Sequence, residues 1–83
     1  MRAKLERLIL LAIHACDGMP MPEGALISAV QGLARPLAPT YADVIEALRD
    51  VEAAGFVAGA SEPLMDTTWT LTTSGLHKAR QLR

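Results

Sequence analysis

Two histidines and one cysteine, His14, His77 and Cys16, are the residues in this sequence with the softness to ligate a transition metal. His14 and Cys16 are two positions apart. On a helix they would point about 200° away from each other, so they cannot chelate one ion. No zinc-binding spacing is present. Ser28, Ser61 and Ser74 lack a histidine and an acid at any recognisable triad spacing. A glycine loop of the phosphate-cradling kind is also missing. His77, beside Lys78, reads as a surface residue, and Cys16 as a small buried hydrophobe on a helix. Met1, Met19, Met21 and Met65 do not fall into a helical stripe. The expectation is a protein that is not an enzyme and uses no metal or cofactor.

Bulk composition restricts what such a chain can be. Its 83 residues suffice for one small domain, expected to span 1–83. Hydrophobic residues make up 51% and charged residues 20%, which argues against disorder. Aromatic residues are only 4%, so aliphatic side chains must fill the core. One cysteine permits no internal disulfide and favours a reducing compartment. Arg2, Lys4 and Arg7 before the apolar run Leu8 to Ile13 imitate a secretion signal. The run is short, however, and Glu6 lies in the basic part, so a retained segment is expected. No stretch is long enough to span a bilayer. The expectation is a soluble, cytoplasmic protein with no membrane partner.

Periodicity then supplies the elements. Leu5, Leu8, Ile9, Ala12 and Cys16 form one face of a helix over Ala3–Cys16. Leu10 and Leu11 lie off that face, flanking His14. The pattern predicts that a second subunit covers them, with Leu10, Leu11, His14 and Leu82 as dimer-interface candidates. Asp17-Gly18 ends the helix, and Met19 to Pro22 reads as an extended link. Pro22 opens a second helix with the stripe Leu26, Ile27, Val30 and Leu33. Ala34 to Pro39 reads as a loop, because it contains two prolines. Thr40 and Asp43 resemble a capping box at the start of a third helix, Tyr41–Ala54. Tyr41, Val44, Ile45, Leu48 and Val51 share its inward face, and Gly55 stops it. Phe56–Ala60 and Thr67–Thr72 form a hairpin, with Trp69 and Leu71 facing inward. Thr72 or Thr73 caps a short last helix whose inward residues are Leu76, Ala79 and Leu82. The predicted class is α+β and mostly helical.

Two stretches in this series, "LRDVEAAGFV" and "WTLTTSG", resemble the pattern of winged-helix proteins. The similarity is to transcription regulators of the multiple-antibiotic-resistance-regulator and phenolic-acid-regulator types. Leu48, Val51, Glu52, Gly55, Phe56 and Val57 match its first half. Trp69, Leu71, Thr72 and Gly75 match its second half. The resemblance covers about residues 41–82. It implies a winged helix of three helices, a β-hairpin wing and a short C-terminal helix. It also implies DNA binding, with the third helix in the major groove and the wing beside a phosphate backbone. Members commonly pair through terminal helices.

Charge points elsewhere. Between Asp17 and Thr72, two bases, Arg35 and Arg49, face eight acids, a balance of −6. The segments before and after carry +2 and +3. On the third helix Asp43, Glu46 and Asp50 recur along one line, flanked by Arg49. The wing tip holds Glu62 and Asp66 and no base. Carboxylates brought toward phosphates cost energy, with no counterion release to offset it. Two readings stay open. The first is a regulator or adaptor that binds a protein partner through an acidic docking face at Asp43, Glu46, Arg49 and Asp50. The second is a DNA-binding regulator using Arg35, Thr40, Tyr41 and Arg49, with amides at the start of the helix approaching a phosphate. A solvated helix face is the plain alternative for the acids.

Overall fold

A computed structural model describes residues 2–82; Met1 and Arg83, the latter counted above among the C-terminal bases, lie outside them. The first helix, α1, spans Arg2–His14 and ends two residues earlier than expected. Its chain turns away through Asp17 and Gly18, at φ 55° and 88°. Leu5, Ile9, Leu10, Ala12 and Ile13 are buried along it.

The next segment contains a strand that periodicity did not reveal. Met21–Pro22 is β1. Two residues, one of them proline, show no alternation to read. What makes them a strand is a distant partner: Met21 lies opposite Trp69 and Pro22 opposite Thr68. The amide of Glu23 donates to the carbonyl of Thr67 at 2.8 Å and extends the pairing.

Helix α2, Glu23–Leu33, buries Leu26, Ile27 and Val30. Leu33, expected on the same stripe, is exposed. Ala34, one helical turn after Val30, is buried in that region. The proline-containing stretch is not irregular, for Arg35–Leu37 forms a 3₁₀ turn. Pro36 suits such a turn, since its fixed φ is compatible and its missing N–H has no obligatory partner there.

Helix α3, Tyr41–Ala53, begins with the expected capping box. The Thr40 amide donates to the Asp43 carboxylate at 2.9 Å, and the Asp43 amide donates to the Thr40 hydroxyl at 3.2 Å. Val44, Ala47, Leu48 and Val51 are buried. Tyr41 is not, being 59% exposed, and Ile45 is half-buried. Both lie at the margin of the buried arc, where the wing begins. Gly55 at φ 82° closes the helix, and the Phe56 amide reaches back to the Val51 carbonyl at 3.0 Å.

The hairpin consists of β2, Val57–Ala60, and β3, Thr68–Leu71. The antiparallel sheet has the order β1-β3-β2. Helix α4, Thr73–Gln81, starts at Thr72, whose hydroxyl accepts from the Gly75 amide at 3.0 Å and donates to the Gly55 carbonyl at 2.6 Å. One side chain therefore caps α4 and fixes its start to the end of α3.

Gly75 answers a steric demand. A Cβ there would lie 1.8 Å from the Phe56 carbonyl oxygen. That backbone cannot yield easily, because the same oxygen accepts the Thr72 amide. Helix propensity alone favours alanine by about 1 kcal/mol. The clash will override it: Gly75→Ala should destabilise by about 3 kcal/mol, read as a fall of more than about 10 °C in the thermal midpoint. An unchanged midpoint would contradict this packing.

The core explains the extra apolar face of α1. This helix packs against α2, α3, α4 and β3. Leu10 is only 3% exposed within the single chain, so it is no dimer contact; the rest of the fold supplies the cover expected from a second subunit. Leu11 and His14 remain half-buried, and Leu82 packs partly against the core. Among the described residues no helix is long and apolar enough to cross a membrane.

Candidate partner-binding face

On α3, Ala42, Glu46, Arg49 and Ala53 lie opposite the buried arc when spaced at 100° per residue. The acidic line expected there is not a set of free carboxylates. Asp43 is half-buried and occupied by the capping box. Glu46 and Asp50 are both taken by Arg2 of α1. Its guanidinium lies 3.1 Å from the Glu46 carboxylate and donates a second, shorter bond to Asp50. The bond to Asp50 raises the Arg2 pKa above its ordinary value; desolvation, the next effect in size, opposes it, and the attraction of Asp50, Glu46 and Glu6 adds to the rise. Stability from this contact is therefore complete at neutral pH. On the arginine's side it is lost as pH rises through that raised value, well on the alkaline side.

The tertiary structure thus moves a charge that the sequence assigns to the N-terminal segment. With Arg2 present, α3 carries Arg2 and Arg49 against Asp43, Glu46, Asp50 and Glu52, a balance of −2 in place of −3. The acidic line expected on α3 is interrupted by Arg2, which corrects the sequence reading. The cause is the crossing of α1 over α3, which joins residues 44 and 48 positions apart.

The other flank of α3 faces the wing. Tyr41, Ile45, Arg49 and Glu52 line an open cleft of about 370 Å³, closed opposite by Glu23, Gly59 and Trp69. Trp69 is buried, and its indole N–H donates to the Glu23 carboxylate at 3.2 Å. Gly59 lies opposite Trp69 in the ladder, and a Cβ there would come within 3.0 Å of the indole ring. The ring therefore lies over the glycine and forms part of the cleft wall.

Of the residues considered for DNA contact, Tyr41 and Arg49 line this one cleft. Arg35 is exposed on the 3₁₀ turn and does not line it. The Thr40 side chain is engaged in the cap. The wing offers no base: Glu62, Pro63, Leu64, Met65 and Asp66 form its tip. Leu64 is 105% exposed at φ 66°, and Met65 is also exposed. This apolar pair was missed as a surface feature, although two large apolar residues in an aperiodic loop were a visible signal.

A second cleft, of about 400 Å³, lies between the end of α1, its following turn, β3 and α4. Ile13, His14, Leu71, Leu76 and Arg80 line it, with Asp17 on the turn. Cys16 is half-buried in that turn, with its thiol 3.7 Å from the Ala12 carbonyl, so it is neither on a helix nor fully in the core. The Arg7 guanidinium donates to the Leu82 carbonyl at 3.2 Å and ties α1 to the end of α4. Among the described residues no three His, Cys, Asp or Glu side chains converge to hold a metal.

No family model and no curated protein matches the sequence. Among solved structures the chain is similar to the crystal structure of SSV1 F-93, at a TM-score of 0.72 and 21% identity. The match covers 93% of this chain and 80% of that one. With its element order, its three-stranded antiparallel sheet and this likeness, the chain has a winged-helix fold.

Proposed function

We propose that the protein is a non-enzymatic winged-helix regulator, of the general kind that the multiple-antibiotic-resistance and phenolic-acid regulators represent, and that it acts mainly through protein contacts. The contact surface is the outer side of α3 with the wing. The observation that carries this reading is the wing itself. It holds no lysine or arginine, and its tip exposes Leu64 and Met65 between Glu62 and Asp66. A phosphate backbone would meet carboxylates and apolar side chains there, where binding needs counterion-releasing bases. A protein partner gains from both features.

DNA binding is the second reading, and one observation favours it. Arg2 is brought against Glu46 and Asp50 of α3, so a second guanidinium joins Arg49 at this helix where the sequence places one. A titration of random duplex DNA at falling salt concentration separates the two readings. The protein-contact reading expects no measurable binding near physiological salt. Micromolar binding there, with a salt slope of several phosphates, would transfer the function to DNA.

A further inference from the structure

We infer that the wing tip of one copy seats in the α1–α4 cleft of a second copy, giving a head-to-tail contact. Leu64 adopts a left-handed backbone conformation, which is unfavourable for leucine, and exposes its side chain completely. Among the described residues nothing covers it, and the neighbouring Met65 is 68% exposed. The cleft has the complementary character. Ile13, Leu71 and Leu76 give it apolar lining beside threonines and Arg80, and its volume of about 400 Å³ accommodates the two side chains of the tip.

Charge orients the pair. Glu62 and Asp66 bracket the apolar tip, whereas α4 carries Lys78 and Arg80 and no acid. Arg80 and Asp17, on the turn after α1, both line the cleft, so the acidic flanks are drawn to the Arg80 part of it and away from Asp17. A chain cannot fill its own cleft. The tip lies beyond the Thr68 end of β3 and the cleft at its Leu71 end, about 10 Å apart along a strand rising some 3.3 Å per residue. Tip and cleft are different patches, so each contact leaves one of each free, and the assembly grows as an open chain or closes as a ring. The patch is small, so the association is weak and salt-sensitive. This contact rests on the reading of the wing tip as a protein-binding surface and commits the tip to a second copy, whatever the α3 face itself binds.

Sedimentation velocity on the full chain tests it, with Leu64→Glu and Arg80→Glu as variants. Both positions are exposed, so circular dichroism melts should match the parent's. The parent's weight-average mass should rise with concentration into the hundreds of micromolar and fall with added salt. Each variant alone should be monomeric. Mixed together they should form a one-to-one dimer and nothing larger, because one retains a sound cleft and the other a sound tip. Adding Glu62→Arg and Asp66→Arg to Arg80→Glu should restore growth. A parent that stays monomeric overturns the inference and leaves the tip to a different protein. Variants that associate as the parent does, or that fail to pair when mixed, overturn it as well.

Discussion

Trp69→Ala will cost about 3–5 kcal/mol, enough to remove most of the stability expected for a domain of this length. The indole is the largest buried side chain in a core otherwise built of aliphatic residues and alanine. Its loss leaves a void that the structure cannot refill. The residue opposite in the ladder is Gly59, which has no side chain to move inward. Glu23 also loses the donor that its carboxylate now accepts from. Because β3 is the central strand, a collapse at Trp69 loosens both β1 and β2. Trp69→Phe separates the two contributions, since it keeps most of the apolar area and removes the N–H. It should cost about 1–2 kcal/mol, and urea melts of the two variants should differ accordingly. An alanine variant with a cooperative transition near the parent's would show that the indole is not a core element.

The second large effect is a gain of DNA affinity by charge conversion. Glu46→Gln and Asp50→Asn remove two negative charges, and Glu62→Lys with Asp66→Lys reverse two more, moving the net charge from −1 to +5. Asp43 is left in place, because its carboxylate closes the α3 cap. The structure adds a reason to expect more than the charge count implies. With Glu46 and Asp50 neutral, the charge of Arg2 is no longer cancelled by its α3 partners and adds to that of Arg49. About four phosphate contacts from Arg2, Arg49 and the two new lysines give a slope near −3.6 in log affinity against log salt. The parent, measured in parallel on random duplex DNA, should show little binding near physiological salt. Equal affinity of parent and variant would remove charge as the reason for the parent's weakness.

How far the sequence could be read depended on the range of the interactions. Thr40 with Asp43, Gly55 after α3, Thr72 before α4 and the inward Trp69 were all legible, because each is set within a few residues or by strand alternation. Gly75 was legible as part of the resemblance motif, but its close approach to the Phe56 carbonyl was not. β1 escaped notice because its only strand-forming feature is pairing with β3, more than forty positions away. Tyr41 and Leu33 continue a helical stripe beyond the area that the neighbouring elements cover, and periodicity does not report where that cover stops.

The sequence by itself determined the helical spans, their caps and stops, and the hairpin, since these follow from spacing, side-chain capping and backbone sterics. It also determined the acidic, base-free wing, because the tip residues are contiguous. The tertiary structure alone decided which surfaces stay open. It buried Leu10 by packing α1 against three other helices, and so replaced an expected subunit contact with the chain's own core. It carried Arg2 across to Glu46 and Asp50 and changed the charge of α3 without changing a residue of α3. Burial and electrostatic potential are sums over neighbours in space, and for these residues the decisive neighbours lie on other elements of the fold.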